Sequence, residues 1–207
     1  MILILFGPPG VGKGTLAQGL EKSGVARQVS TGDLLRKEIT AGTDLGQIVA
    51  EKIKTGNYAD DADILKLVEK ELNGNVILDG YPRTLKQVSD LDMLLAKRGK
   101  KIDKVINLVA SDETVIKRIV NRVICSKCQQ IYNVKFSPPV KKGVCNKCSG
   151  KLIHREDDRK EIITKRLGEY RKKTLPVVKV YRKRGLILDV DATLSDLVGF
   201  VKARLLL

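Results

Sequence analysis

The stretch Met1-Ile2-Leu3-Ile4-Leu5-Phe6-Gly7-Pro8-Pro9-Gly10-Val11-Gly12-Lys13-Gly14-Thr15 decides the fold. Six apolar residues closed by a Gly-Pro-Pro-Gly turn describe a strand buried on both faces, as in parallel sheets covered by helices on each side. The turn then delivers a lysine and opens a helical pattern. Glycines let main-chain N–H groups curl around a phosphate, and a helix N-terminus adds partial positive charge. Lys13 can reach β- and γ-phosphates, and a nearby hydroxyl, here Thr15, can ligate Mg²⁺. The common phosphate-loop pattern sets Ser or Thr directly after the lysine; in this chain Gly14 intervenes.

Outward from this stretch, further apolar runs recur at Val76-Ile77-Leu78, Val105 to Val109 and Leu186-Ile187-Leu188, with a weaker one at Gln28-Val29-Ser30. Between them lie helical spacings: Ile64-Leu65, Val68 and Leu72; Leu91, Leu94 and Leu95; Val115-Ile116 and Ile119-Val120; Ile162-Ile163 and Leu167. Strands alternating with helices imply right-handed crossovers and a doubly wound α/β fold on a parallel sheet. Two stretches break the alternation. Residues 30–59 read as a small helical excursion punctuated by glycines. Residues 123–157 hold all four cysteines, a Pro-Pro pair and short β-like segments, and are too long for a structureless loop. Pro176 falls inside a long helical pattern and is expected to kink or end it.

A chain of 207 residues can bury one sizeable core. No apolar run is long enough to span a membrane. The N-terminus lacks the charged leader of a signal peptide, which predicts a cytoplasmic protein. The net charge of +15 is uneven: residues 121–207 carry 21 basic and 8 acidic groups. That asymmetry admits a nucleic-acid partner, but no aromatic platform accompanies it, and a basic surface around an anionic substrate is the preferred reading. Cys125-Ser126-Lys127-Cys128 and Cys145-Asn146-Lys147-Cys148 are two C-x₂-C pairs, the spacing of a structural tetrahedral Zn²⁺ site. A disulfide or redox use is the rival reading, and a Cys₄ site accepts iron as well as zinc.

The form GPPGVGKGT, with Gly between Lys and Thr, resembles the phosphate loop of adenylate kinases. Further segments match that family in order: Ser30-Thr31-Gly32-Asp33-Leu34-Leu35-Arg36; Leu78-Asp79-Gly80-Tyr81-Pro82-Arg83-Thr84 with Gln87; Arg118-Ile119-Val120-Asn121-Arg122; Arg155-Glu156-Asp157-Asp158; and Arg166. Val123-Ile124 leading into Cys125 resembles the zinc-lid class. The resemblance covers roughly residues 1–190. It implies a P-loop nucleoside monophosphate kinase fold on a five-stranded parallel sheet: a core of 1–29, 60–120 and 159–207, a helical AMP-binding insert at 30–59 and a zinc-bearing β lid at 121–158. The implied reaction is reversible phosphoryl transfer from Mg·ATP to AMP, giving two ADP.

By the same resemblance, ATP is held by Gly10, Val11, Gly12, Lys13, Gly14 and Thr15, by Arg118 and Arg122, and by Ile131, Tyr132 and Leu194. AMP falls to Thr31, Arg36, Asn57, Tyr58, Ala59, Gly80, Tyr81, Pro82, Arg83 and Gln87, with Arg155 and Arg166 bridging the two phosphates. Catalytic weight rests on Lys13, Arg83, Arg118, Arg122, Arg155 and Arg166. Asp79, ending its apolar run, is assigned to Mg²⁺ through water together with Thr15. Thr31 and Gln87 would choose the acceptor base, and the carboxylates Asp157 and Asp158 are candidate lid latches. His154 is read as incidental, because transfer to an already anionic phosphate needs no strong base. A monomer without membrane or specific nucleic-acid partners is expected. The alternatives are a UMP or CMP kinase and, from another class, a nucleic-acid-binding zinc ribbon.

Overall fold

The computed structural model describes residues 1–54, 59–155 and 158–205. Its main sheet is built from β1 (Ile2–Phe6), β2 (Arg27–Ser30), β3 (Val76–Asp79), β4 (Lys104–Val109) and, after three short strands elsewhere, β8 (Ile187–Asp191). The order is β2-β3-β1-β4-β8 and every pairing is parallel. The expected doubly wound α/β architecture is therefore present, with β1 at its centre.

All five residues of β1 are buried, and alternate ones feed opposite layers. Ile2, Ile4 and Phe6 join Val29, Val76, Leu78 and Tyr181 on one face; Leu3 and Leu5 join Leu16, Leu20, Ile77 and Ile106 on the other. Each fully buried aliphatic side chain contributes about 1.5–3 kcal/mol of transfer free energy. This explains the absence of polar alternation in the first six residues.

Helices α1 (Lys13–Lys22), α2 (Thr31–Ala41), α3 (Asp44–Lys54), α4 (Asp61–Glu71), α5 (Leu85–Lys97) and α6 (Asp112–Val120) connect and cover these strands. Four begin with a hydroxyl cap: Ser30 accepts from the N–H of Asp33, Thr43 from that of Gly46, Thr84 from that of Gln87, and Ser111 from that of Thr114. Such caps are worth about 1 kcal/mol each. The 30–59 stretch contains α2 and α3, the expected helical excursion. Residues 122–153 carry a separate antiparallel sheet, β6-β5-β7, of β5 (Arg122–Cys125), β6 (Ile131–Asn133) and β7 (Leu152–Ile153). Its small core is Val123, Cys125, Tyr132 and Cys145.

Two local readings change. The last strand starts at Ile187 and runs on to Asp191, because β4 pairs with it as far as Val109 with Asp191. Asp189 disguises this edge strand; its carboxylate accepts from Asn107 and Arg182. Pro176 does not end its helix. Between α7 (Lys160–Glu169) and α8 (Leu175–Lys183) the chain widens into a π-helical turn at Tyr170–Thr174, where the Leu175 N–H reaches the carbonyl of Tyr170. The wider turn absorbs the missing N–H and the bulk of the proline ring. Helix α9 (Leu197–Leu205) closes the described chain.

Candidate active site

Parallel register sets the site. Leu5 pairs with Asp79 and Asp79 with Ser30, so the segments leaving β1, β2 and β3 emerge side by side at the carboxyl edge of the sheet. Open α/β sheets bind ligands at this edge. The cleft there has a volume of about 1330 Å³, beyond the ~300–1,000 Å³ of an ordinary small-molecule pocket.

The phosphate loop wraps from β1 into α1. Gly10 has φ 79°, and a Cβ on it would meet Ile119 Cγ1 at 2.0 Å, so only glycine fits between loop and α6. Lys13 folds back over the loop and donates to the carbonyls of Gly7 (2.8 Å) and Pro8 (3.0 Å). Burial lowers its pKa to about 8; Asp79 opposes the shift, and Arg83, Arg166 and Arg122 add to it. Asp79 is pushed up by burial, against the pull of Lys13 and Arg83, and its Oδ2 accepts from Gln28 Nε2 at 3.1 Å. A lysine held with a depressed pKa among arginines favours an anion entering beside it.

The cleft brings together the loop residues Gly10 to Thr15 with Thr31, Arg36, Ala59, Asp79, Arg83, Arg118, Arg122, Ile131, Tyr132, Arg155, Arg166 and Leu194. Arg118 spans two carbonyls, that of Val11 (2.6 Å) and that of Ala192 (2.8 Å), tying the phosphate loop to the loop after β8. Arg36 pairs with Asp33, and the Nε of Arg83 donates to the carbonyl of Gly80 at 2.7 Å. Arg122 grips Asp158 through Nε (2.8 Å) and Nη2 (2.5 Å), while Arg166 Nη1 reaches the same carboxylate at 3.4 Å. Arg122 stands at the start of β5 and Arg166 on α7, so Asp158 joins the small sheet to the main body. The small sheet also touches the core through Gln130 and Gln18 (3.2 Å) and through Asn133 on the Arg118 carbonyl (3.0 Å).

Four predicted positions lie behind the cleft wall. Gly80, Tyr81, Pro82 and Gln87 do not line it. Tyr81 packs in the core, and Gln87 is fully shielded, with both ends of its amide bound to protein. Thr31 donates its hydroxyl to the carbonyl of Gly80 (3.0 Å). Asn57, Tyr58 and Asp157 fall outside the described residues. Sequence reasoning passed over Gln28, which steadies Asp79, and Asp61, which holds Gln87; their partners are 51 and 26 residues away, and no local motif signals such contacts.

The four cysteines are free of disulfides and gather their sulfurs within 4.8 Å of one another. Cys125 and Cys148 are 3.4 Å apart and Cys128 and Cys145 3.6 Å, too long for an S–S bond. Tetrahedral Zn–S bonds of ~2.3 Å would set sulfurs about 3.8 Å apart. Main-chain N–H groups of Cys128 and Lys147 donate to Cys125 and Cys145. Burial and the neighbouring sulfurs push the Cys128 thiol up to about 12, the cost of crowding sulfurs that a cation removes. A Cβ on Gly150 would lie 2.8 Å from Cys125 Sγ, so the knuckle closes only around glycine. The donor set fits a structural Zn²⁺.

Among the described residues no helix is long and apolar enough to cross a membrane. The sequence model of the family described as adenylate kinase matches residues 5–186. An adenylate kinase from Archaeoglobus fulgidus is 41% identical over 208 residues, covering 98% of this chain and 95% of that protein. One from Zymomonas mobilis is 42% identical over 200 residues, covering 94% and 90%. One from Acidothermus cellulolyticus is 39% identical over 197 residues, covering 93% and 91%.

Proposed function

The chain belongs to the adenylate kinase family of phosphotransferases, and from that premise we propose that its cleft transfers the γ-phosphoryl group of ATP to AMP by electrostatic clamping under a closing lid. The observation that carries this reading is the convergence of Lys13, Arg36, Arg83, Arg118, Arg122, Arg155 and Arg166 on one cleft beside a phosphate loop.

Phosphoryl transfer asks little covalent chemistry of a protein; it asks for in-line positioning and for charge matched to the equatorial oxygens. The main-chain N–H groups of Gly10 to Thr15 cradle the donor phosphates, with Lys13 exchanging its two carbonyl contacts for phosphate oxygens. Arg118 and Arg122 attend the donor, and Ile131, Tyr132 and Leu194 flank its base. Arg36 and Arg83 hold the acceptor phosphate; Thr31, Ala59, the Gly80-Tyr81-Pro82 turn and Gln87, with Asn57 and Tyr58, form the acceptor side. Arg155 and Arg166 bridge the two phosphates, as planar guanidinium groups bind two oxygens at once. Mg²⁺ brought with ATP neutralises phosphate charge, and Asp79 and Thr15 are the groups that would hold its waters.

Residues 1–29, 60–120 and 159–207 serve as core, 30–59 as the acceptor insert and 121–158 as a lid stapled by Zn²⁺ on Cys125, Cys128, Cys145 and Cys148. Closure excludes water, which would otherwise take the phosphoryl group. The reading extends to a monomer acting in the cytoplasm on free nucleotides, without a membrane or nucleic acid as partner.

The test is ADP formation from Mg·ATP with AMP, UMP, CMP or GMP as acceptor. Turnover with AMP alone is expected. Preference for UMP or CMP would keep the phosphate site and overturn the acceptor pocket, and phosphate release without acceptor would overturn the lid's role.

A further inference from the structure

Asp61 is the first residue of α4, two positions after the 30–59 stretch, yet its carboxylate reaches across to the start of α5. Oδ1 accepts from Gln87 Nε2 at 2.7 Å, and Oδ2 accepts from Thr84 Oγ1 at 3.0 Å. Thr84 Oγ1 in turn accepts from the main-chain N–H of Gln87 at 3.1 Å. At the other end of the Gln87 side chain, Oε1 accepts from the N–H of Arg83 at 2.6 Å. The amide is thus held between an acceptor-only carboxylate and a donor-only N–H.

We propose that Asp61 is a positioning residue that fixes the orientation of the Gln87 amide, and through it makes the acceptor site select a 6-aminopurine over a 6-oxopurine monophosphate. The proposal rests on the reading that Gln87 meets the acceptor base. An amide side chain has two N–H donors and two carbonyl lone pairs. Among the described residues the protein uses one of each; the other N–H and lone pair, shielded behind the cleft wall in this structure, are the ones an acceptor base would meet on entering. Adenine offers a complementary edge, an amino donor beside a ring-nitrogen acceptor. Hypoxanthine offers the reverse, a carbonyl acceptor beside a ring N–H. To read it, the Gln87 amide must flip, turning its oxygen onto the Asp61 carboxylate and its NH₂ onto the Arg83 N–H. Two attractive contacts would become repulsive ones in a fully shielded setting, where an unsatisfied polar group is costly. Sites built on hydrogen bonds discriminate in this way, through the polar groups a wrong ligand leaves unpaired.

The arrangement also explains why an acid sits in the first turn of α4 without capping it; the N-cap, Asp60, makes no side-chain cap either. The charge of Asp61 is directed at the neighbouring helix. Its place at the junction of insert and core puts the orientation of Gln87 under the same segment that follows the acceptor insert.

The experiment compares Asp61→Ala, Asp61→Asn and Gln87→Leu with the parent, measuring kcat and KM for AMP and for inosine monophosphate, KM for ATP, and the melting temperature. In Asp61→Ala the KM for AMP should rise about tenfold, the effect of one lost hydrogen bond. The ratio of kcat/KM for inosine monophosphate to that for AMP should rise by a similar factor, with ATP KM and saturated kcat within twofold of the parent. Asp61→Asn keeps the shape, tolerates either amide orientation, and should move the ratio in the same direction by less. If the alanine variant does not fold, the asparagine variant decides. An unchanged ratio in the Asp61 variants while Gln87→Leu raises the AMP KM overturns the role of Asp61 alone. A Gln87→Leu variant with parental AMP KM overturns the reading of Gln87 and the proposal with it. A fall in melting temperature and in all rates at constant ratio would make Asp61 a structural residue only and equally overturns the proposal.

Discussion

Replacing Asp158 by asparagine removes one negative charge from between two arginines that the transferred phosphoryl group is proposed to meet. The Asp158 side chain is 3% exposed, Arg122 14% and Arg166 22%, so water screens this cluster poorly. Breaking a buried ion pair by removing one partner costs about 3–5 kcal/mol. Asparagine keeps one acceptor oxygen, which lowers the figure, while two guanidinium groups left facing each other raise it; about 3 kcal/mol is the working value. For a chain of this size each kcal/mol moves Tm by about 2–4 °C, so the ligand-free variant should melt about 6–12 °C below the parent. A dinucleotide of two adenosines joined through five phosphates supplies negative charge to the same arginines, and with it bound the deficit should shrink by half or more. Steady-state kcat should fall about tenfold to a hundredfold, because misplacement of a clamp by about 1 Å is enough for that. Scanning calorimetry with and without the dinucleotide reads both stability terms. A drop under 2 °C with kcat within twofold would class the cluster with ordinary surface pairs and contradict a shielded role for Asp158. A deficit unchanged by the dinucleotide would refute the facing of Arg122 and Arg166 toward phosphate.

Lys13→Met should abolish turnover while leaving the circular dichroism spectrum and Tm near the parent, since the ammonium's partners are two loop carbonyls and the expected phosphates; a kcat within tenfold would contradict the assignment. The pKa of about 8 for Lys13 has a signed consequence. The folded state gives up this proton more readily than the unfolded chain, so between about pH 8 and 10.5 the unfolded state binds more protons and this group makes stability rise with pH. Phosphate needs the charged lysine, so ATP binding at pH 9 should take up protons, read by calorimetry in buffers of different ionisation enthalpy; no uptake would contradict the buried, depressed lysine. Cys145→Ser should lose the metal, measured by mass spectrometry, and melt lower, with activity surviving at low temperature. A full equivalent of metal retained in the variant would contradict a four-sulfur site.

The parts of the fold legible in the sequence are those fixed by local chemistry. Ile2 to Phe6 reads as a doubly buried strand because each residue in turn must fill one of two opposite cores. The glycines and Lys13 announce a tight loop between strand and helix, and two C-x₂-C knuckles announce a four-sulfur cluster before any tertiary contact is known. Leu186-Ile187-Leu188 marks β8, but Asp189 hides its continuation to Asp191, because a charged residue on an edge strand is satisfied by Asn107 and Arg182, partners that sequence spacing does not reveal. Pro176, expected to kink or end its helix, stands just after a π-helical turn that carries the helical path into α8, a continuation that α-helix propensity does not describe. Asp61 and Gln28 escaped notice for a similar reason: each acts on a side chain from a different element, through contacts that only the packed register creates.

The cleft is proposed to hold two nucleotides at once and to pass a phosphoryl group straight from one to the other. Phosphorus NMR of the protein supplied with Mg²⁺ and ADP alone tests this. ATP and AMP should appear in equal amounts with no inorganic phosphate, and ADP should persist unchanged with Lys13→Met. Inorganic phosphate accumulating beside AMP, or ADP left intact by the folded, zinc-loaded parent, would contradict it.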